Sequence, residues 1–192
     1  MFEKLKLDNY FDLLKKTIES SNLDNISLMY DRLHEHFDTS GRVFIAGNGG
    51  SASIASHATT DLAKLELENK NINVISLNEN IPLITALSND DGYENYLVNI
   101  IKNYKINNND TLIAISSSGN SMNLINLVNF SNEQDVKTFA LLGFDGGKLG
   151  KIVGFPVLLS TEKGYYGPVE DLHMMIFHLF AHIIKKDIKE IN

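Results

Sequence analysis

His57 and Asp61 stand four residues apart in a stretch with helical patterning, which puts an imidazole and a carboxylate on one face. Glu170, Met174, His178 and His182 form a second stripe at that spacing nearer the C-terminal end. Groups of this kind exchange protons or bind a divalent ion. With no cysteine in the chain, any metal must take His, Asp or Glu as ligands. Two loops offer another chemistry. Gly47-Asn48-Gly49-Gly50-Ser51-Ala52-Ser53 follows an apolar run and leads into a helix expected to begin at about Ile54. Its glycines let a ligand approach the backbone, and Ser51 or Ser53 is expected to cap the helix, whose free N–H groups favour an anion. No Lys follows as a Walker A loop requires, and Ala52 stands where a dinucleotide fingerprint has its third glycine. The second loop, Ser116-Ser117-Ser118-Gly119-Asn120-Ser121, supplies four hydroxyls and several backbone donors just before another helix. Such a set binds phosphate without much positive charge.

Plainer readings stand beside these: a surface ion pair for His57–Asp61, a core histidine for His178, and simple turns for the two loops. His182 competes with His178 as a ligand. His34 and His36 are expected at the surface, His173 is expected to face elsewhere, and Met174-Met175 reads as packing. Lys64 and the charges from Glu66 to Lys70 read as a solvated helix end and turn.

The elements that must position these groups are legible as texture. Continuous apolar runs at Val43–Ala46, Val74–Leu77, Leu112–Ile115, Thr138–Leu142 and Pro156–Leu159 suit strands buried on both faces, the mark of a parallel sheet with helices between the strands. A doubly wound order 2-1-3-4-5 opens a crevice at the carboxyl ends of strands one and three, so both loops would face it. Ahead of the sheet, Tyr10, Leu13, Leu14 and Ile18, then Ile26, Met29, Leu33 and Phe37, mark two amphipathic helices, the second closed by Gly41. Their apolar stripes point to a subunit contact or to a hairpin folded back on the sheet. A last helix starts near Gly167-Pro168 and runs apolar to about Lys185. We expect one domain over 1–192, with 1–40 as an oligomerisation extension and 41–192 as the α/β core.

Composition narrows the partners. Among 192 residues, 24 are acidic and 17 basic, a net charge of −7 that argues against a nucleic-acid surface. The N-terminus lacks the apolar region of a secretory signal, and the Met174–Ile184 run is shorter than the roughly 20 residues a membrane span requires. A cytoplasmic protein with no membrane partner is expected.

The glycine loop with its following His57, Asn89-Asp90 after the second run, and the serine loop together resemble the sugar isomerase (SIS) domain family. They are most similar to its phosphoheptose isomerase branch, and the similarity covers nearly the whole chain. The resemblance implies a SIS-type three-layer α/β sandwich with an N-terminal helical extension, assembled as a homotetramer with sites at subunit contacts. It implies that Asn48, Gly49, Gly50, Ser51, Asn89 and Asp90 contact a sugar phosphate. Ser116, Ser117, Ser118 and Ser121 would hold the phosphate. His57, Asp61, Glu170 and His178 would bind a divalent metal, zinc in the family, with Glu170 also placed to meet substrate. The pattern departs from the family where Asp61 replaces Glu, Glu170 replaces Gln, Pro168 replaces Arg, and Lys64-Leu65-Glu66 replaces Gly-Arg-Tyr.

The implied reaction is an aldose–ketose isomerisation through an enediolate, sedoheptulose 7-phosphate to a heptose 7-phosphate, feeding surface polysaccharide. We assign Asp61 as base and His178 as acid. Two alternatives remain: a non-catalytic SIS protein that senses a sugar phosphate or binds a protein such as a replication initiator, and a flavodoxin-like nucleotide binder.

Overall fold

A computed structural model describes residues 4–21, 24–67 and 70–191. Two helices, α1 (Lys4–Glu19) and α2 (Asp24–Glu35), precede β1 (Arg42–Gly47) and α3 (Gly50–Ala63). A small antiparallel pair, β2 (Glu66–Leu67) and β3 (Lys70–Asn71), leads to β4 (Asn73–Ser76), α4 (Ile81–Asp91) and α5 (Tyr96–Lys102). Then come β5 (Thr111–Ser116), α6 (Met122–Glu133), β6 (Lys137–Gly143), β7 (Phe155–Leu159) and the long α7 (Tyr166–Ile191). The main sheet is wholly parallel in the order β4-β1-β5-β6-β7, which is the expected 2-1-3-4-5 counted over its own five strands.

Strand alternation explains the continuous apolar runs. Val43 and Ile45, Ile113 and Ile115, and Phe139 and Leu141 enter one core with α2, α3 and α7. Phe44 and Ala46, Leu112 and Ala114, and Ala140 and Leu142 enter the other with α5 and α6. Both faces of the sheet are covered, so no strand needs a polar side. Met29 and Leu33 are wholly buried in the first core, which means α2 folds back onto the sheet layer. Among the described residues no helix is long and apolar enough to cross a membrane.

Three boundaries differ from expectation. α3 starts at Gly50, four residues before Ile54, because the chain reverses directly at Gly47, where a Cβ would lie 2.5 Å from the Ser51 backbone. Its cap position is Gly49 in a positive-φ conformation (φ 55), so neither Ser51 nor Ser53 caps it. α2 ends at Glu35 rather than at Gly41, and α7 extends beyond Lys185. His36, expected at the surface, is buried in the turn after α2, its Nε2 2.9 Å from Thr111 Oγ1, where Arg32 Nε also donates at 3.0 Å. This cluster ties α2 to the amino edge of β5.

Burial, and next the nearby Arg32 cation, push the His36 pKa down to about 4; burial does the same to His173 on α7. Below the ordinary value of 6.5 the unfolded chain takes up protons that the folded chain refuses until about pH 4, so stability falls as pH drops through that window. We predict a melting temperature that declines from pH 7 to pH 5, with a shallower decline in His36→Asn; equal slopes in thermal melts would remove His36 from the effect.

Candidate functional site

β1 and β5 are hydrogen-bonded neighbours whose carboxyl ends lie side by side, with Gly47 opposite Ile115. The sheet order reverses between them, so the loops after both strands open into one crevice. Asn78 clips the first loop: Gly47 N–H donates to its Oδ1 at 3.1 Å, and its Nδ2 donates to the Gly47 carbonyl at 3.0 Å. The serine loop is held from the other side. Gly119 N–H donates to Ser116 Oγ at 3.1 Å, Gly143 N–H donates to the Ser117 carbonyl, and Leu149 N–H donates to the Gly119 carbonyl at 2.8 Å. Gly119 has φ 61, and a Cβ there would fall 2.0 Å from the Gly146 carbonyl oxygen, so no other residue fits.

Between the loops lies a cavity of about 170 Å³ walled by Asn48, Ser51, the three serines 116–118, Ser121 and, from α7, Tyr166 and Glu170. Ser117 Oγ is buried there without a hydrogen-bond partner. Ser121 occupies the cap position of α6 yet makes no side-chain capping bond. A loop built only to turn the chain would spend these hydroxyls on its own backbone. The wall carries no Lys or Arg and one acidic side chain, Glu170 on the α7 side, so an anion there would be held by neutral donors and the α6 N-terminus at the serine end, away from that carboxyl group.

A second cavity of about 490 Å³ adjoins, sharing Asn48 and Ser121 and adding Tyr93, Glu94, Met122 and Asn123. Asn48 and Asn123 exchange reciprocal amide bonds at 2.9 Å, and the Tyr93 hydroxyl donates to Asn48 Oδ1 at 2.8 Å. Sequence reading named neither Asn123 nor Tyr93. A stretch that repeats Asn and Tyr as often as this one gives no signal for which copy is turned inward. Asn89 and Asp90 are exposed at the end of α4, bonded to each other, and line neither cavity. Gly49 is open to solvent, whereas a methyl group on Gly50 would sit 2.3 Å from Glu170 Oε2.

Farther along α3 and α7 the structure gathers His57, Asp61 and His178. His57 Nε2 lies 3.1 Å from Asp61 Oδ2 and 3.1 Å from His178 Nε2, and His178 Nε2 lies 3.9 Å from Asp61 Oδ2. Ligands about 2.0–2.1 Å from a tetrahedral zinc are separated by about 3.3 Å, so these three atoms fit three corners around one divalent ion. The half-exposed rings leave the fourth corner open to water or substrate. Glu170 is not in this group. It lies against Gly50, and the eight residues separating it from His178 amount to roughly 12 Å of helix. His182 is exposed and also stands outside the group. Lys64, read as solvated, donates to Asp61 Oδ1 at 2.9 Å; this bond, followed by the nearby His57, holds the Asp61 carboxyl below its ordinary range. His173, one turn from Glu170, is fully buried against the sheet.

Comparison with known proteins gives the family. The SIS domain profile matches residues 7–143. The phosphoheptose isomerase of Helicobacter pylori (strain ATCC 700392 / 26695) is 33% identical over 155 residues, covering 80% of this chain and 79% of the relative. That of Buchnera aphidicola subsp. Schizaphis graminum is 29% identical over the full length of both. A solved phosphoheptose isomerase from Francisella tularensis superposes with a TM-score of 0.83 at 24% identity, covering 97% of this chain and 100% of that one, and shares the fold. The chain belongs to the SIS domain family, on its phosphoheptose isomerase branch.

We predict that the metal-stripped protein binds Co²⁺ with the intense visible absorption of a four-coordinate site. His57→Ala and His178→Ala should each lose that spectrum and Glu170→Ala should keep it. Loss in Glu170→Ala would place the Glu170 carboxylate on the ion after all.

Proposed function

We propose that this protein is an aldose–ketose isomerase of a sugar phosphate, converting sedoheptulose 7-phosphate to D-glycero-D-manno-heptose 7-phosphate. The observation that carries the reading is spacing: a serine-lined cavity that also meets Glu170 and a cluster of His and Asp side chains lie along the same two helices. The seven residues from Gly50 to His57 correspond to roughly 10 Å of α-helix. An extended seven-carbon chain with its ester linkage spans roughly the same distance at about 1.2 Å per bond, the advance of an extended backbone. A three-carbon substrate would fall short.

In this reading Ser116, Ser117, Ser118 and Ser121 hold the phosphate, with Asn48, Gly49, Gly50 and Ser51 completing the rim. Glu170, at the serine cavity, accepts hydrogen bonds from sugar hydroxyls. Asp61, kept ionised at neutral pH by Lys64 and His57, takes the proton from the carbon beside the carbonyl. His178 protonates the carbonyl oxygen as the enediol forms. The proton held by Asp61 is then delivered to the former carbonyl carbon while the other enediol oxygen gives its proton back to His178, so hydrogen moves from one carbon to the next and no redox partner is needed. A divalent ion, zinc by family analogy, would be held by His57 Nε2, Asp61 Oδ2 and His178 Nε2, would leave Asp61 Oδ1 and His178 Nδ1 for the proton transfers, and would supply Lewis-acid stabilisation of the enediolate oxygens. Asn89 and Asp90 would reach substrate only across a subunit contact. The exposed apolar Phe11, Leu28, Met175 and Leu179 on α1, α2 and α7 support such a contact and a homotetramer. The product would feed surface polysaccharide assembly in the cytoplasm.

The test is a panel of ketose phosphates incubated in deuterated water with and without divalent ions. Exchange at the carbon beside the carbonyl is expected for sedoheptulose 7-phosphate. Asp61→Asn should lose at least a hundredfold in turnover while still binding the sugar. Normal turnover in Asp61→Asn would remove it as base, and no exchange with any sugar would leave a sensing protein instead.

A further inference from the structure

Asn48 stands at the wall between the two cavities, and its amide is almost fully committed. Oδ1 accepts two bonds, from Asn123 Nδ2 at 2.9 Å and from the Tyr93 hydroxyl at 2.8 Å. Nδ2 spends one hydrogen on Asn123 Oδ1 at 2.9 Å. An amide has two acceptor sites and two donor hydrogens, so a single N–H remains for a ligand.

A reciprocal amide pair is indifferent to a simultaneous flip of both groups. Something outside the pair must therefore choose between oxygen and nitrogen at the cavity wall. The neighbouring residues supply that choice. The orientation of Asn78 is set by backbone, because its Oδ1 accepts from Gly47 N–H and its Nδ2 donates to the Gly47 carbonyl. The same Nδ2 reaches the Tyr96 hydroxyl at 3.4 Å. Tyr96 is buried, and its phenol also meets Tyr93 and Asn123, with burial foremost in raising its pKa. Its ring lies 5.0 Å from that of Tyr93. The Tyr93 hydroxyl is the partner outside the pair that bonds directly to it, donating to Asn48 Oδ1. Asn78, anchored to the Gly47 peptide, reaches the Tyr96 ring system on which Tyr93 rests. The turn bearing Tyr93 is itself held to α6, where Asn126 Nδ2 donates to the Glu94 carbonyl at 3.0 Å.

We propose that Tyr93 and Asn123 are positioning residues that lock the Asn48 amide with its oxygen turned away from ligand and one N–H presented to the sugar phosphate. The inference rests on the proposed sugar-phosphate site and deepens it. Neither residue need touch the ligand, and the effect is on orientation, not on proton transfer.

A double-mutant cycle separates this from direct contact. Tyr93→Phe keeps the ring against Tyr96, and Tyr93 is 53% exposed, so folding is expected to survive; thermal melts check it. With sedoheptulose 7-phosphate, Tyr93→Phe should raise KM about tenfold, equivalent to about 1.4 kcal/mol, with kcat within twofold. In an Asn48→Ala background the same change should have no further effect on KM. Calorimetry with inorganic phosphate on the same four proteins reports binding where turnover is low, with Ser117→Ala as the control for the cavity itself. Additive losses from Tyr93→Phe and Asn48→Ala would overturn the proposal by making Tyr93 a direct contact. A neutral Tyr93→Phe beside a weakened Asn48→Ala would overturn it while leaving the site in place. If Asn48→Ala and Ser117→Ala both bind as wild type, the site reading fails and the proposal falls with it.

Discussion

The proposed chemistry of this chain depends on α3 and α7 lying side by side and running in the same direction. Near their starts, Gly50 meets the Glu170 carboxylate; two turns later, His57 meets His178. Ala55 and Ala58 on α3 are wholly buried, and such small side chains leave room for a close approach of the larger Phe177 and Phe180 that fill the shared core. One helix pair therefore fixes two stations at a set separation. Had the helices been antiparallel, Glu170 and His178 would have exchanged places and each would have met the wrong partner.

The proposed anion recognition rests on dipoles and not on basic side chains. The chain has two arginines, and both are engaged at the opposite, amino edge of the sheet. Arg42 pairs with the buried Asp110 at 2.7 Å and also donates to the Tyr104 carbonyl, while Arg32 reaches Thr111 and the Asn109 carbonyl. They brace the loop ahead of β5, which leaves serine hydroxyls, amides and the α6 N-terminus to face the crevice. Neutral donors packed in a narrow cavity discriminate by geometry, since each unmet donor costs desolvation without a compensating bond.

Much of this was legible in the sequence because it is local. Apolar runs of four or five residues announced strands buried on both sides, and a spacing of four announced the His57–Asp61 face. The serine cluster announced itself by composition. What was illegible is non-local. The Asn48–Asn123 pair joins positions 75 residues apart, and nothing in either neighbourhood marks them as partners. The resemblance implies a metal role for Glu170 and periodicity puts it on one stripe with His178, but periodicity says nothing about length along the axis. Within one chain, eight residues set the Glu170 carboxyl apart from the His57, Asp61 and His178 group. His36 is buried because its exposure is decided by where the chain turns after α2, and that turn is set by contact with β5.

The meeting of Gly119 and Gly146 has a consequence for how such a crevice can be altered. Two backbones touch there with no side chain between them, so the serine loop and the turn after β6 behave as one mechanical piece. Swapping residues 117–121 from a relative without also moving 143–149 would wedge the halves apart. Grafting, insertion or recombination has to treat the two segments as a single inherited unit.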